Sequence, residues 1–495
     1  MTDTFWASFP AIELSIAVPL VALLAAILVG GRIAPRLVLA VAPIMLALAG
    51  ILVWQVMAHG PMRVALGGWE APLGIALFAD GLSGSFLMLT AIVMSAVGLV
   101  AIRGFDAQDG ETTRSYSFWA LFFGMWAALN GVFLGADFFN LYVAIELLTI
   151  TAVGMVAFGG TRAAIRYLLF ALAGSLAYLT GVVLLYAEAG TLDMALLARN
   201  GGDATVRLIA GALMTAGLLA KTALFPLHAW LPPAHGGAPA PASAILSALV
   251  VKASFIITVR IWFDVMPDAA GPGFVWLMGL LGGSAVIYGS LLALRQPRLK
   301  MIIAYSTVAQ LGYLFLIFPL SGGIAGDMPW AAGGWSGGMF HALSHGIAKA
   351  AAFLAVGLII EALGHDRLDG MKGIARSMPI TVFAFGLAAI SLMGLPPSGG
   401  FMAKYLMLTA ALAGGHVVLA LVMMAGGLLA AAYLFRPLNR AFSGTEVPDV
   451  AHVAYWRQWV PLVLALLAML LGVLSAVPYE FLQIGRPVTA EIGIE

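Results

Sequence analysis

Residues 218–243 read LLAKTALFPLHAWLPPAHGGAPAPAS. An apolar run reaches Lys221 and then meets Pro226, Pro232, Pro233, Pro239 and Pro241. Proline removes a helical hydrogen bond and clashes with the preceding turn, so no regular helix runs through this stretch. In a bilayer such a break survives only where protein or water satisfies the freed backbone groups. A second stretch, SLMGLPPSGGFMAKYLML at 391–408, places Pro396, Pro397, Gly399 and Gly400 before Lys404. Two interrupted apolar segments, each with a lysine beside the break, set the reading of the whole chain.

The 495 residues are 62% hydrophobic and 9% charged, against about 25% charged in soluble domains. Apolar runs long enough to cross a bilayer recur from end to end. The expected class is an all-α polytopic membrane protein. The net charge of +1 says little, because the charges sit in loops and at a few interior positions. With no cysteine, the chain holds no thiolate-ligated cluster or zinc and no disulfide. There is no Gly-rich phosphate loop after a strand, and no basic patch of nucleic-acid type. The expected cofactor and metal content is therefore none, and no nucleic-acid partner is expected. The start, MTDTFWASFP, has neither basic n-region nor small-residue cleavage site, which predicts no removable signal peptide.

About fourteen spans are expected. They lie near 9–30, 35–57, 80–103, 116–134, 137–159, 163–188, 206–229, 240–264, 273–294, 300–320, 333–362, 378–413, 416–437 and 456–478. Residues 60–78 are too rich in Gly and Pro for a span and predict a short extracytoplasmic hairpin or loop. The interrupted spans are the seventh and twelfth. If spans 4–8 and 9–13 are repeats of five helices, the odd number inserts them with opposite topology, and paired breaks at matching positions point to a transport site. The expected divisions are 1–110, an N-terminal three-helix segment; 111–265 and 270–440, the inverted repeats; and 441–495, a C-terminal helix.

Basic residues set the orientation. One side holds Arg32, Arg36, Arg103, Arg114, Arg162, Arg166, Arg295, Arg298, Lys300, Arg367, Lys372, Arg376, Arg436, Arg440 and Arg457. The other holds only Arg63, Arg199, Arg207, Arg260 and Arg486. This asymmetry places the protein in the cell membrane with both termini extracytoplasmic. The remaining four of the 24 basic residues, Lys221, Lys252, Lys349 and Lys404, fall inside spans.

A charge at a helix centre costs roughly 2.5–3.5 kcal/mol on insertion scales, so these lysines should face one another or water. The acid among them is Glu146, mid-span in DFFNLYVAIELLTITAVGMVAF at 137–158. Its expected partner is Lys221. A carboxylate beside an amine favours the charged amine, and withdrawing it favours the neutral one, which makes proton release possible. Lys252 lies in LSALVVKASFIITVRIW at 246–262, and HALSHGIAKAAAFLAVG at 341–357 puts His341, His345 and Lys349 at i, i+4 and i+8. Such positions share a helix face about 6 Å apart along the axis. Imidazole both accepts and donates near neutral pH, so the stripe suits a proton wire. Against this stands the bland reading that a single intramembrane lysine snorkels or pairs structurally. It explains one lysine more readily than four with an acid and two histidines. His228 and His235 read as loop or cap residues, His365 and His416 as inert, and Asp80, Asp137, Glu188 and Glu361 as interfacial anchors.

The run KTALFPLHAWLPPAHGGAPAPASAILSALVVK at 221–252 resembles the signature of the antiporter-like membrane subunits shared by respiratory complex I, Mrp-type cation/proton antiporters and energy-converting hydrogenases. KMIIAYSTVAQLGY (300–313), HALSHGIAKAAAFLAVG and GLPPSGGFMAKYLML (394–408) are similar to further landmarks in the same order. The resemblance covers about residues 75–440. It implies fourteen helices, two inverted repeats, and a mid-membrane chain made here by Glu146, Lys221, Lys252, His345, Lys349 and Lys404, with His341 at the start of its stripe. One branch carries glutamate at the last position, so Lys404 argues against that branch. The short tail beyond the last span argues against the distal complex I subunit with its long lateral helix. The resemblance thus implies a proton-translocating subunit of a multisubunit membrane complex. The first expectation is the D-type subunit of an Mrp-type antiporter, moving protons and, as a candidate coupling ion, sodium. The alternative is the equivalent subunit of an NADH–quinone oxidoreductase or membrane hydrogenase. A stand-alone solute transporter and a passive scaffold are the readings from other classes. The resemblance leaves redox chemistry to partner chains.

Overall fold

The computed structural model describes residues 6, 8–105, 113–200, 202–321, 330–444, 448 and 450–486. Most of the residues read for a signal peptide, and the tail after Arg486, lie outside the described residues.

The described chain is helical except for one small hairpin, and it has twelve helices long and apolar enough to cross a membrane, with two shorter apolar ones. The first, α1 (Ala11–His59), has 49 residues. Straight, it would reach roughly 74 Å, more than twice the apolar thickness of a bilayer. It is broken at Gly30, whose φ of 73° is a conformation that side-chain-bearing residues resist. The two apolar runs expected at 9–30 and 35–57 are thus joined by a sharp backbone break and not by a polar loop. Residues 60–79 form a hairpin, β1 (Met62–Ala65) paired antiparallel with β2 (Ala76–Ala79).

Next come α2 (Gly81–Gly104), α3 (Thr113–Leu134), α4 (Phe138–Ala157) and α5 (Thr161–Ala189). Asp80, Asp137 and Asp203 each accept backbone N–H groups at a helix start, which satisfies donors that a first turn leaves open. Then α6 (Ala204–Thr222) stops one residue past Lys221. A 3₁₀ turn and the short α7 (Leu231–Gly237) follow, so the proline-rich break ends one helix and starts another. Helix α8 (Ala240–Val265) is buried from Ala242 to Trp262 and has two π-helical segments, Leu246–Val250 and Arg260–Val265.

The second half has α9 (Pro272–Arg295), α10 (Leu299–Phe315) and α11 (Ala331–Leu363). The other break separates α12 (Pro379–Met393) from α13 (Gly399–Ala413), each too short to span alone. Helices α14 (Val417–Phe442), α15 (Tyr455–Val473) and α16 (Ala476–Gln483) complete the chain. Helix α11 is the hub, packing on α2, α8, α10, α12, α13 and α15.

Two crossings rest on glycine. A Cβ on Gly217 would stand 2.2 Å from the Gly174 carbonyl oxygen, so these glycines let α5 and α6 approach closely. A Cβ on Gly312 would stand 2.4 Å from the Gly282 oxygen, at the crossing of α9 and α10. Such contact adds dispersion attraction where lipid supplies no hydrophobic drive between helices.

Candidate functional site

Glu146 projects from the middle of α4 and Lys221 from the last turn of α6. Lys221 Nζ donates to Glu146 Oε1 at 3.0 Å and to Thr149 Oγ1 at 2.8 Å. Ser175 on α5 donates to the same carboxylate oxygen. The lysine is buried, while the Glu146 side chain is 20% exposed. The Gly174–Gly217 contact fixes this geometry, because Ser175 is the neighbour of one glycine and Lys221 lies one helical turn after the other.

Lys252 sits just after the first π turn of α8. In a regular α-helix the Val251 N–H would take the Ser247 carbonyl; here it reaches back to Leu246. The Ser247 carbonyl instead accepts from Lys252 Nζ at 2.8 Å. A π turn is thus what gives the fully buried Lys252 Nζ its partner, in line with the frequent placement of such turns at functional sites.

From Lys252 a polar line crosses α10. Ser247 Oγ and Thr307 Oγ1 are 2.9 Å apart. Thr307 Oγ1 donates to the Ile303 carbonyl at 3.1 Å, and Lys349 Nζ donates to the same oxygen at 2.8 Å. Lys349 also donates to Ser306 Oγ. The carbonyls orient these groups; the hydroxyls can pass a proton.

One and two turns before Lys349 on α11 stand His345 and His341, their rings nearly parallel with centroids 5.7 Å apart. His341 Nε2 lies 3.2 Å from the Gln310 carbonyl oxygen. Both ring nitrogens of His345 are buried, and among the described residues neither has a hydrogen-bond partner. The line ends at Lys404 on α13, whose Nζ donates to the Leu392 and Met393 carbonyls at 2.9 and 3.1 Å and lies 4.7 Å from the centre of the Tyr313 ring. These carbonyls are free because α12 stops there.

The structure thus gathers Lys252, Lys349, His341, His345 and Lys404 around α10 and α11, with Glu146 and Lys221 as a separate pair. Among the described residues no hydrogen bond joins the pair to the rest. The polar residues of α10 did not stand out in the sequence. Ser306, Thr307, Gln310 and Tyr313 follow i, i+1, i+4 and i+7, and that polar stripe inside an apolar span was the available signal.

Several residues are placed differently from expectation. His235 is a fully buried residue within α7, stacked on Phe353 with centroids 4.9 Å apart, and not a loop or cap. Lys300, expected among the loop cations, is buried and donates to the Ala238 carbonyl. Arg260 lies in the π-helical end of α8, with Asp80 on both guanidinium nitrogens at 2.7 Å and Asp264 at 2.6 Å. Asp80 is therefore an interior ion-pair partner as well as a helix cap. Glu361 pairs with Arg457, at 2.5 and 2.8 Å.

Residues 135–430 match the family described as NADH:quinone oxidoreductase/Mrp antiporter, TM. That region contains both interrupted segments, Glu146 and all four interior lysines. The chain is 36% identical over 416 residues to the NADH-quinone oxidoreductase subunit N of Desulforudis audaxviator, covering 82% of this chain and 80% of that one. It is 30% identical over 411 residues to the D subunit of the Na(+)/H(+) antiporter of Bacillus subtilis, covering 81% and 80%. A chain in the structure of the Mrp complex from Dietzia sp. superposes with a TM-score of 0.87 at 24% identity, covering 97% of this chain and 98% of that one. This chain belongs to the NADH:quinone oxidoreductase/Mrp antiporter transmembrane family.

Proposed function

We propose that the chain is a proton-translocating subunit of a multisubunit membrane complex, and that its family's Mrp-type monovalent cation/proton antiporters are the setting, in the position of their D-type subunit. The observation that carries the proton reading is the Glu146–Lys221 contact of 3.0 Å beside the end of α6. A buried charge left without its partner costs several kcal/mol. Separating the pair therefore drives the lysine to release its proton, and rejoining it drives uptake. The line from Lys252 through Thr307 and Lys349 to the histidines and Lys404 supplies acceptors beyond the pair. Sodium is the coupling ion this reading suggests, from the name of the Bacillus relative.

A second reading has its own support. Identity is higher, at 36%, to a subunit of an NADH-quinone oxidoreductase. In that complex the same proton path would be driven by redox partners. Under both readings other subunits provide the energy input, and the arginine-rich side of the protein faces the cytoplasm with both termini outside.

Native purification followed by identification of the co-purifying chains separates the two. Cation/proton antiporter subunits support the first reading; chains carrying flavin and iron–sulfur groups establish the second. Activity of the isolated chain as a solute transporter would displace both.

A further inference from the structure

We propose that the cleft between the basic ends of α9 and α14 is a binding site for the phosphate headgroup of an anionic phospholipid. The cleft has a volume of about 370 Å³ and is lined by Pro297, Leu368, Asp369, Arg436, Asn439 and Arg440. Arg436 and Arg440 are one helical turn apart on α14, so they share a face. Arg436 Nη1 donates to the Leu294 carbonyl, which holds one guanidinium at the mouth beside the end of α9.

The charge there is not balanced from within. The acid in the lining, Asp369, already faces Arg367 at 3.9 Å. Among the described residues neither Arg436 nor Arg440 has a carboxylate at ion-pair distance. Both side chains are exposed. Two guanidiniums with donors to spare match a phosphodiester, whose oxygens accept several N–H bonds in a fixed fork.

What commits the site to a lipid, and not to free phosphate, is the surface leading into it. Further along the two helices from the arginines, Leu291 of α9 and Leu428 and Phe435 of α14 are exposed, Leu428 to 75%. The two helices pack side by side. This apolar surface leads along the helices towards the cleft, and the arginines stand at its polar end. Basic pockets between helix ends on the side rich in Lys and Arg recognise anionic headgroups in this way.

The test is native mass spectrometry of the intact complex, titrated in mixed micelles with phosphatidylglycerol or phosphatidylcholine. Each basic residue near a surface contributes about 1 kcal/mol to anionic lipid binding. Arg440→Gln, which among the described residues breaks no side-chain hydrogen bond or ion pair, should weaken phosphatidylglycerol retention about fivefold, and Arg436→Gln with Arg440→Gln about thirtyfold. Phosphatidylcholine retention should not change, nor should phosphatidylglycerol retention in the charge-matched control Arg103→Gln with Arg166→Gln. Equal loss in the control would make the effect one of general surface charge and overturn the site. So would unchanged retention in Arg440→Gln. A photo-crosslinker at Asn439 should label lipid; labelling only a neighbouring chain would mean that a protein covers the cleft, which also overturns it.

Discussion

Lys404 Nζ and Gln310 Nε2 donate to the same acceptor, the carbonyl oxygen of Leu392, at 2.9 and 3.1 Å. That oxygen lies in the last turn of α12 and has no helical partner, because the chain breaks there. The break therefore makes the acceptor that a buried lysine needs, and Gln310 couples it to the line of polar groups on α10. The same logic holds at Lys252, where a π turn and not a proline exposes the Ser247 carbonyl.

Gly394 should be sensitive for this reason. Its φ is +84°, and a Cβ there would stand 2.6 Å from Lys404 Cδ. Gly394→Ala adds a strained backbone at about 1 kcal/mol and pushes the lysine off its carbonyls. Transport by Gly394→Ala should fall close to the level of Lys404→Met while the amount of assembled complex stays near wild type. A fully active Gly394→Ala would show that the lysine's position does not matter.

Glu146→Gln keeps the side-chain volume and removes the charge facing Lys221. Coupled transport should drop at least tenfold, about 1.4 kcal/mol or more, with assembly intact. Ser175→Ala removes one neutral donor but leaves the charge facing Lys221, and should cost less than Glu146→Gln. The ratio of the two in vesicle transport assays is the check; equal losses would point to packing and not charge.

The helix crossing that holds this pair can be probed separately. Gly217→Val forces three carbons into a gap where one would already meet the Gly174 carbonyl. Overpacking of this kind costs about 1–3 kcal/mol. Thermal stability of the complex should fall, and transport should fall with it. The contrasting substitution Gly50→Ala, where nothing lies within 4 Å, should leave stability unchanged.

At the other end of α8, Arg260 is held by Asp80 through both guanidinium nitrogens and by Asp264 through one. Removing one partner from a buried pair costs about 3–5 kcal/mol. Asp80→Ala should therefore reduce the folded, membrane-inserted fraction far more than Asp264→Ala, since it also removes the cap on Ser83 N–H. Similar yields of the two variants would argue against a dominant Asp80–Arg260 contact.

The interrupted spans and the interior lysines were legible because each breaks a strong local rule. Proline in an apolar span and charge inside one are both costly, so their presence speaks plainly. The π turns around Lys252 were not legible, since LSALVV and RIWFDV contain only ordinary helix-compatible residues and the distortion answers a tertiary need of Lys252 and Arg260. His235 misled because a proline-rich break suggests a loop, whereas α7 continues through it and is buried by Phe353. Lys300 and Arg260 sit near span ends, where sequence alone does not separate a snorkelling cation from one turned inward.

The central claim is that protons cross laterally along α10 and α11 between the Glu146–Lys221 pair and Lys404. Side-resolved proton uptake in oriented vesicles carrying Lys349→Ala tests it most directly. Transfer across the membrane should stop while each side still exchanges protons, whereas Lys404→Ala should silence exchange on one side only. Normal transport by both Lys349→Ala and His345→Ala would contradict the lateral path and leave the stripe as structural packing.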